Sequence, residues 1–578
     1  MDKKRNSKQY NLVNKFRSLI LSENVVALVC FGSMVVFLVM LLMGINYSYS
    51  GVPFWDEWNG SLEFISKFNF ENLNSIFAQH NEHRIVLFRL IALFDYYVIN
   101  GQIWFLVAIN LAILMGIAHI LLCYLSSVLG PKWNSTPQIK VSLISILVII
   151  ESSWMQEQNI NWGFQSQFLL GIYLPLVAFL LLHKYWVSEK KSMFYWAIII
   201  GILSAGTFAS GVVVLPLMFL GTLINKRNFH ELIKLSMITL LTLSLYFYDY
   251  STPGQHSNPL TSLFLNTLGV LKYTAVYLTS PVIKSIGERN SVIIFLVLLG
   301  ITYSVTSFFV RVFKQMNLSS GEGALALPIL FLISFIGLTA LGRANFGARE
   351  ALASRYVSVT LVLYVLIAFT LVSSKLNLMK FDSKQIWVTL ALVITVLLPS
   401  QIDGLARNNN AFDQRLSALS LNLGLRDDEQ VSKIFPNPLF LYNLAPKIVY
   451  SSKGIFGTSF FEEARSVRNL KIPESSIDDC DIRIDQVFSS TDRSFKKIFG
   501  WSFIREAKQS IGDFLVVDSQ GKIIGAGISG IIRSDVDSYL KMKNTDAGFA
   551  FYLKEFGNDL TMINIKNEFA CKLPKINS

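Results

Sequence analysis

Charged residues are scarce in this sequence. Asp, Glu, Lys and Arg make up 16 % of its 578 residues, whereas an average soluble domain contains about a quarter. Hydrophobic residues reach 52 %, and they fall in runs of about 15–22, the length at which a helix crosses about 30 Å of hydrocarbon. The lack of charge therefore excludes a soluble protein of this size and predicts a mainly α-helical, polytopic membrane protein.

Several motifs of soluble enzymes are also missing. The sequence has no Walker-type phosphate loop, no Gly-x-Gly-x-x-Gly run before a helix and no cysteine–histidine zinc spacing. ATP-driven transport and direct use of a nucleotide sugar therefore have no visible site. The net charge of +12 does not indicate a nucleic-acid partner, because the basic residues lie in short loops between apolar runs.

Cysteine is limited to four residues. Cys30 and Cys123 fall inside apolar runs, where core positions are expected. Cys480 and Cys571 lie in the C-terminal region. Outside the cytosol they could pair in a disulfide, and the alternative is two free thiols.

The apolar runs predict about eleven membrane-spanning helices. They lie near residues 25–45, 103–125, 139–152, 168–187, 194–208, 210–224, 231–248, 291–310, 324–341, 357–374 and 386–400. Residues 84–99 are apolar as well, but Arg84, Arg89 and Asp95 would be costly at bilayer depth. We expect this segment to lie along the outer surface, because counting it as a span would move every later lysine cluster outside.

This topology divides the chain into four regions. Residues 1–24 form a cytoplasmic N-terminus before a retained first span. Residues 25–400 form the membrane domain, whose first extracytoplasmic loop is 46–102. Residues 401–470 are predicted to be a helical connector, and residues 471–578 a small extracytoplasmic β-sandwich. The clearest strand signal is a hairpin at 514–528 with its turn at 518–521.

The first outer loop carries two adjacent acids, Asp56 and Glu57, between Trp55 and Trp58. Transfer of a sugar to a hydroxyl needs a carboxylate that accepts the hydroxyl proton, and tryptophan faces stack on sugar rings. Only one acid can be the base, and the other would orient or bind. The alternative is a solvated helix start with interfacial tryptophans.

An Asp-Glu pair directly after the first span resembles the GT-C class of membrane glycosyltransferases. Ala-Ser-Arg-Tyr at 353–356, the run at 518–527 and Ile-Arg-Ser-Asp-Val at 532–536 resemble bacterial surface-polysaccharide and O-antigen-modifying members of that class. The resemblance implies that Asp56 is the catalytic base, with Glu57 beside it. It also implies a polyprenyl-phosphate sugar donor, a glycan acceptor and action on the outer face of the bacterial inner membrane.

The second outer segment contains His80, Glu82 and His83. Histidines at i and i+3 can share a helix face, so these residues could hold substrate or, with a third ligand, a divalent metal such as Mg²⁺ or Mn²⁺. The plain alternative is a polar helix cap that orients the loop.

Arginines between two late spans match a lipid phosphate, because guanidinium groups bind phosphate oxygens in bidentate geometry. Arg349 and Arg355 are the first choice, with Arg343 and Arg84 as further candidates. The first two diverge on a straight helix, so a bend at Gly342 or Gly347 would be required. Interfacial anchoring is the alternative role.

A third outer loop, which includes Glu157 and Trp162, suits contact with an acceptor sugar, although an ordinary hydrated loop has the same composition. Two other functions remain open for the whole chain, polysaccharide polymerisation and transport of a lipid-linked glycan without catalysis. The sequence identifies membrane lipids as partners and leaves the sugar, the acceptor linkage, the metal and the oligomeric state undetermined.

Overall fold

The computed structural model describes residues 22–130, 136–251, 259–374, 382–466, 469–470, 480–543, 545–555, 559–564 and 569–576. The predicted cytoplasmic N-terminus lies almost entirely outside the described residues. The chain divides into two compact units. We call Met1–Ile45, Ile76–Leu90 and Val107–Leu405 the membrane unit, and Asn46–Ser75, Ile91–Leu106 and Ala406–Ser578 the loop–tail unit.

Nine helices among the described residues are long and apolar enough to cross a membrane, so the protein is membrane-embedded. They span Glu23–Ser48, Ile103–Leu129, Pro137–Asn161, Gly163–Ser188, Phe229–Phe247, Ser291–Gln315, Gly323–Phe346, Ser354–Ser373 and Ser383–Asp403. Each coincides with a predicted span. The other two predicted spans form shorter apolar helices, Lys191–Ala205 and Ala209–Ile224, so the predicted count of eleven is reached only if these two also cross.

Two further helices lie between the spans. Residues 84–99, which the sequence placed outside the bilayer, contain the 13-residue helix Val86–Val98, which at 1.5 Å per residue extends only about 20 Å. The helix Thr267–Ile286 was not predicted, because its polar residues interrupt any apolar run. Within the membrane unit its backbone accepts hydrogen bonds from the next-to-last span: the Tyr364 hydroxyl donates to Leu278 O (2.6 Å) and Thr360 Oγ1 to Tyr277 O (3.1 Å).

The connector of the loop–tail unit is helical, as predicted. Its helices are Asn410–Asn422, Asp428–Val431, Pro438–Tyr450 and Ser459–Arg465. Side-chain caps set two of the starts: Asp427 accepts from the Gln430 N–H (3.1 Å) and Asn437 from the Phe440 N–H (3.2 Å). The shorter helices elsewhere in the chain are Glu63–Lys67, Asn74–Phe77, Pro259–Leu265 and Ser534–Leu540.

The C-terminal strands form one seven-stranded sheet and not the predicted sandwich. The strands are β1 Cys480–Ser489, β2 Lys496–Ile504, β3 Phe514–Val517, β4 Ile523–Ile531, β5 Gly548–Leu553, β6 Thr561–Asn564 and β7 Ala570–Lys572. Their order is β1-β2-β5-β4-β3-β6-β7, and every neighbouring pair is antiparallel. The predicted hairpin is confirmed as β3–β4, with Gly521 at φ +80° in its turn.

The two edge strands of this sheet are joined covalently. Cys480 on β1 and Cys571 on β7 form a disulfide with a Cα–Cα distance of 5.8 Å. Strands at opposite edges of a seven-stranded sheet can approach this closely only if the sheet curls, so it is a half-barrel. Its inner side is filled by Phe514, Phe549 and Phe551, whereas Trp501 is half-buried.

The other face of the sheet packs on the connector helices and on the first loop. Trp58 is fully buried in this core, its ring centroid 6.5 Å from that of Phe456. A buried polar network fixes the helices to the sheet. Lys497 Nζ lies 2.9 Å from Asp427 Oδ2, and the Tyr552 hydroxyl donates to the same oxygen (2.7 Å).

Residues of the first loop and of the C-terminal region therefore share one core, which places them on one side of the membrane. The chain between them must cross an even number of times. Eight of the nine long candidates lie in this interval, or ten helices when the two shorter ones are counted.

Labelling with a membrane-impermeant thiol reagent tests this common side. In a Cys30→Ser/Cys123→Ser background, Glu71→Cys in the first loop and Ser432→Cys in the connector replace exposed residues. We expect both cysteines to react under the same conditions, either in intact cells or only after permeabilisation. Reaction of one in intact cells and of the other only after permeabilisation would separate the two segments.

The disulfide should contribute strongly to the stability of the half-barrel, because it closes a loop with a sequence separation of 91 residues. A loop of this size predicts a loss of about 2–5 kcal/mol when the bond is removed. We expect Cys480→Ser/Cys571→Ser to unfold at a lower temperature and to be insensitive to reductant. Cys123→Ser, which removes a thiol outside the sheet, is the control, and an unchanged midpoint in the double variant would contradict the expectation.

Candidate functional site

The acid pair of the first loop lies in an unusual backbone segment. Trp55 has φ +47°, a left-handed conformation that is rare for a bulky residue. A π-helical turn, Glu57–Leu62, begins two residues later. Strained residues and π-helical turns both occur preferentially at functional sites. The turn is held in the loop–tail unit, where the Trp55 N–H donates to Ile434 O (2.9 Å).

The two acids have different environments in this turn. Glu57 is buried, and its Oε2 accepts from the Phe54 N–H (2.7 Å). Asp56 is half-exposed, and its side chain does not cap the π-helical turn. The flanking tryptophans differ in the same way: Trp55 is 45 % exposed, whereas Trp58 is buried and donates from Nε1 to Pro53 O (2.8 Å). Asp56 and Trp55 are therefore the two members of this motif that solvent can reach.

A pocket opens on the buried side of the same loop, entirely within the loop–tail unit. The empty space in it is about 510 Å³, counting the part that is open to solvent. Its apolar wall includes Leu62, Ile65, Leu106, Ile448 and Phe456. Its charged lining residues are Glu57, Asp95 and Lys453.

Asp95 is a buried acid of this pocket whose pKa is raised. It lies near the C-terminal end of Val86–Val98 and is only 6 % exposed. Burial raises its pKa to about 7, although a hydrogen bond from the Gln102 backbone and the positive charge of Lys453 act in the opposite direction. Lys453 is itself fixed, because its Nζ donates to Tyr96 O (2.8 Å). A carboxyl group with this pKa exchanges protons near neutral pH.

Tyr49 completes the polar side of this region. Burial raises the pKa of its hydroxyl, the Trp104 backbone lowers it, and the negative charges of Glu57 and Asp95 both raise it. The hydroxyl is therefore within electrostatic range of both acids. Tyr49, Asp95 and Lys453 were not predicted as site residues. The sequence contained a sign of only one of them, because Asp95 is an acid inside an otherwise apolar segment.

The histidine segment belongs to the membrane unit and is a tight turn, so His80 and His83 do not share a helix face. His80 and His83 exchange backbone hydrogen bonds of 2.8 and 2.9 Å across it. His83 Nδ1 accepts from the Ala209 N–H (3.1 Å), so the ring proton is on Nε2, 3.4 Å from Glu82 Oε1. Burial lowers the pKa of His80 to about 3, so His80 is neutral at physiological pH.

A metal site is not visible in this part of the chain. Among the residues that the structure describes, no three His, Cys, Asp or Glu side chains are grouped so that they could hold a metal ion. The prediction that His80, Glu82 and His83 contact substrate stays a prediction.

Arg84 uses its guanidinium group to fix the same turn. Its Nε donates to Tyr246 O (2.6 Å), its Nη1 to Phe77 O (2.6 Å) and its Nη2 to Tyr248 O. Three of its five N–H groups are thus directed at backbone carbonyls. This geometry favours a structural role over the predicted contact with a donor phosphate.

The chain bends between the late arginines, as the sequence required. The span that ends near Arg343 is followed by short helical turns, and Gly347 between them has φ +94°. Arg349 points outward, 86 % exposed and 3.0 Å from Glu288. Arg355 lies 2.6 Å from Glu350, and its guanidinium is 4.8 Å from the centre of the Tyr356 ring.

Arg343 and Arg355, rather than Arg349 and Arg355, have neighbours in common. Burial raises the pKa of Tyr277, and the positive charges of Arg343 and Arg355 lower it. Both guanidinium groups therefore lie close enough to the Tyr277 hydroxyl to interact with it electrostatically. Arg343 also interacts with Glu82, at 3.4 Å. Within the membrane unit the structure thus brings Glu82, Arg343 and Arg355 into one polar region, which we call the arginine cluster.

The third predicted loop packs against the arginine cluster. Gln158 Oε1 accepts from the Arg355 backbone N–H and from Arg355 Nη1, both at 3.3 Å. Glu157 is exposed. Burial lowers the pKa of Lys284, and the negative charge of Glu157 partly opposes this shift. Trp162 is buried and stacks on Phe164 with ring centroids 5.9 Å apart. The buried Trp162 ring is poorly placed for a sugar in this conformation, whereas Glu157 is accessible.

No protein-family model, curated protein or solved structure matches this chain. An assignment of its activity therefore depends on the geometry and chemistry of the residues described above.

The raised pKa of Asp95 has a consequence for stability. Between the ordinary value of 3.8 and about 7, the unfolded chain loses the Asp95 proton while the folded chain keeps it. Folding is therefore disfavoured as pH rises through this window, by about 4 kcal/mol at most, and the deficit persists above it. We expect Asp95→Asn to unfold at a higher temperature than the native protein at pH 8 and at a similar temperature at pH 4.5. An equal difference at the two pH values would contradict this.

Proposed function

We propose that this protein is a membrane glycosyltransferase of the GT-C type, which moves a sugar from a polyprenyl-phosphate donor to a glycan acceptor on the outer face of a bacterial plasma membrane. The observation that carries the proposal is the conformation of the first loop. A left-handed Trp55 and the π-helical turn after it keep Asp56 half-exposed beside a solvent-accessible indole. Backbone strain of this kind persists where surrounding contacts maintain it for a function.

In the proposed reaction Asp56 accepts the proton of an acceptor hydroxyl. The hydroxyl oxygen forms a bond to the anomeric carbon of the donor sugar as the bond from that carbon to the phosphate oxygen breaks. The phosphate oxygen keeps the electron pair, so polyprenyl phosphate leaves. A carboxylate base in this position contributes about 10²–10⁴-fold to the rate.

In this proposal the neighbours of Asp56 bind the sugar or maintain the conformation of the turn. Trp55 offers an aromatic face to a sugar ring, and Glu57 maintains the turn through its hydrogen bond with the Phe54 N–H. Trp58 anchors the turn in the core of the loop–tail unit.

The arginine cluster is the proposed site for the donor phosphate. Arg343 and Arg355 have common neighbours and are partly shielded from solvent, whereas Arg349 is 86 % exposed. Partly shielded guanidinium groups bind phosphate more strongly than exposed ones, because water competes less. Glu82 and Glu350 neutralise the two arginines, and a phosphate would displace these ion pairs.

An outward orientation of the loop–tail unit is supported by two observations. The Cys480–Cys571 disulfide is typical of an oxidising compartment. The predicted inner loops also contain the lysine clusters that the positive-inside rule places in the cytosol. Nucleotide sugars are cytosolic, so a donor used on the outer face would have to arrive on a lipid carrier.

Replacement of Asp56 by Asn tests the proposal, because the amide keeps the shape of the side chain and cannot accept the proton. In vesicles that contain the full-length protein, labelled undecaprenyl-phosphate hexoses and cell-surface glycan, we expect transfer to fall by about 100-fold or more. The readout is radioactivity in the glycan.

Glu71→Gln is the matched control, since it neutralises an exposed acid of the same loop. It should transfer sugar at the native rate. Undiminished transfer by Asp56→Asn at equal expression would exclude Asp56 as the base, and the absence of transfer by the native protein with every donor would exclude the enzyme.

A further inference from the structure

The first-loop pocket contains a buried oxygen whose hydrogen-bonding capacity is not used by the protein. Asp95 Oδ1 is shielded from solvent and has no hydrogen-bond partner among the residues that the structure describes. The Asp95 side chain lines the pocket and is more than nine-tenths buried. A buried acceptor left in this state lowers stability, and such a group is explained when a ligand supplies the missing donor.

We propose that this pocket is the binding site of the acceptor sugar, and that Asp95 binds one of its hydroxyl groups. The inference rests on the proposed transferase function and adds to it the class of ligand and a residue that contacts it. Asp95 is then a substrate-binding residue, while Asp56 is the base.

The lining of the pocket favours a neutral ligand with many hydroxyl groups. Two acids, Glu57 and Asp95, oppose an anion, and the ammonium group of Lys453 opposes a metal cation. A sugar ring presents hydroxyl groups at its rim and C–H groups on its faces. The hydroxyl groups would hydrogen-bond to Asp95, Glu57 and Lys453. The C–H faces would pack on the wall that Ile65 and Phe456 form.

The location of the pocket also suits an acceptor. Glu57 lines it, and Glu57 is the residue directly after Asp56 in the π-helical turn. A sugar in the pocket would thus be held by the same short segment that carries the proposed base. The donor phosphate needs a basic site, which this pocket does not provide.

Ligand-detected NMR on the full-length protein in lipid nanodiscs tests the proposal without any catalytic step. The probes are methyl glucoside, methyl galactoside, N-acetylglucosamine and rhamnose, with inorganic phosphate as an anion probe. We expect saturation transfer to at least one sugar and no broadening of the ³¹P signal of phosphate. At pH 8, where Asp95 is ionised, Asp95→Asn should weaken the binding of that sugar by about tenfold, because a hydrogen bond to a charged carboxylate is replaced by one to a neutral amide.

A second variant tests the pocket itself. Ile103→Trp fills part of the space and lies at the start of a span, where tryptophan is well tolerated. It should reduce sugar binding at least as much as Asp95→Asn does. Glu63→Gln, which removes only the exposed ion pair with Lys67, is the control and should bind like the native protein.

The outcomes separate this inference from the proposed function. Asp56→Asn should still bind the sugar, because only the base is changed. Native-like binding by both Asp95→Asn and Ile103→Trp, or binding of none of the four sugars, would overturn the pocket assignment even if Asp56 proves to be the base. Active Asp56→Asn together with lost binding in Asp95→Asn would overturn the mechanism and leave the sugar site in place.

Discussion

The burial of Trp58 is the constraint on which the loop–tail unit depends. This ring connects the loop after the first span to helices and strands that begin more than 350 residues later, and it is completely removed from solvent. Full burial of an aromatic side chain of this size contributes several kcal/mol that the exposed loop alone could not provide. The position of the acid pair is therefore fixed by the C-terminal region, although the pair lies near the N-terminus.

This coupling explains how two adjacent acids acquire different properties. The π-helical turn and the left-handed Trp55 rotate Asp56 toward solvent and Glu57 into the interior. Glu57 then serves the turn through the Phe54 N–H, and it faces the same pocket as Asp95.

The membrane unit shows a related division among its polar residues. The Arg84 guanidinium group donates hydrogen bonds to the backbone carbonyls of Tyr246 and Phe77. Gln158 Oε1 accepts hydrogen bonds from Arg355. The guanidinium groups of Arg343 and Arg355 also form ion pairs with the carboxylates of Glu82 and Glu350, which an anionic ligand can replace. Arg84 therefore contacts only backbone carbonyls in these bonds, whereas Arg343 and Arg355 each form an ion pair that a phosphate group could replace. Asp95 shows the same principle, since a buried acid with a raised pKa lowers stability and is expected where function requires it.

The sequence by itself determined the membrane class, the positions of the spans, the helical connector and the β3–β4 hairpin, because each depends on local composition. It also drew attention to Asp56 and Glu57. Only the tertiary structure decided that Cys480 pairs with Cys571, that one curled sheet replaces a sandwich, and that Thr267–Ile286 is a helix. It alone brought Asp95, Lys453 and Tyr49 to the first loop and grouped Arg343 with Arg355. These features depend on contacts between segments that are distant in the chain, and the spacing of residues along a sequence carries no measure of such contacts.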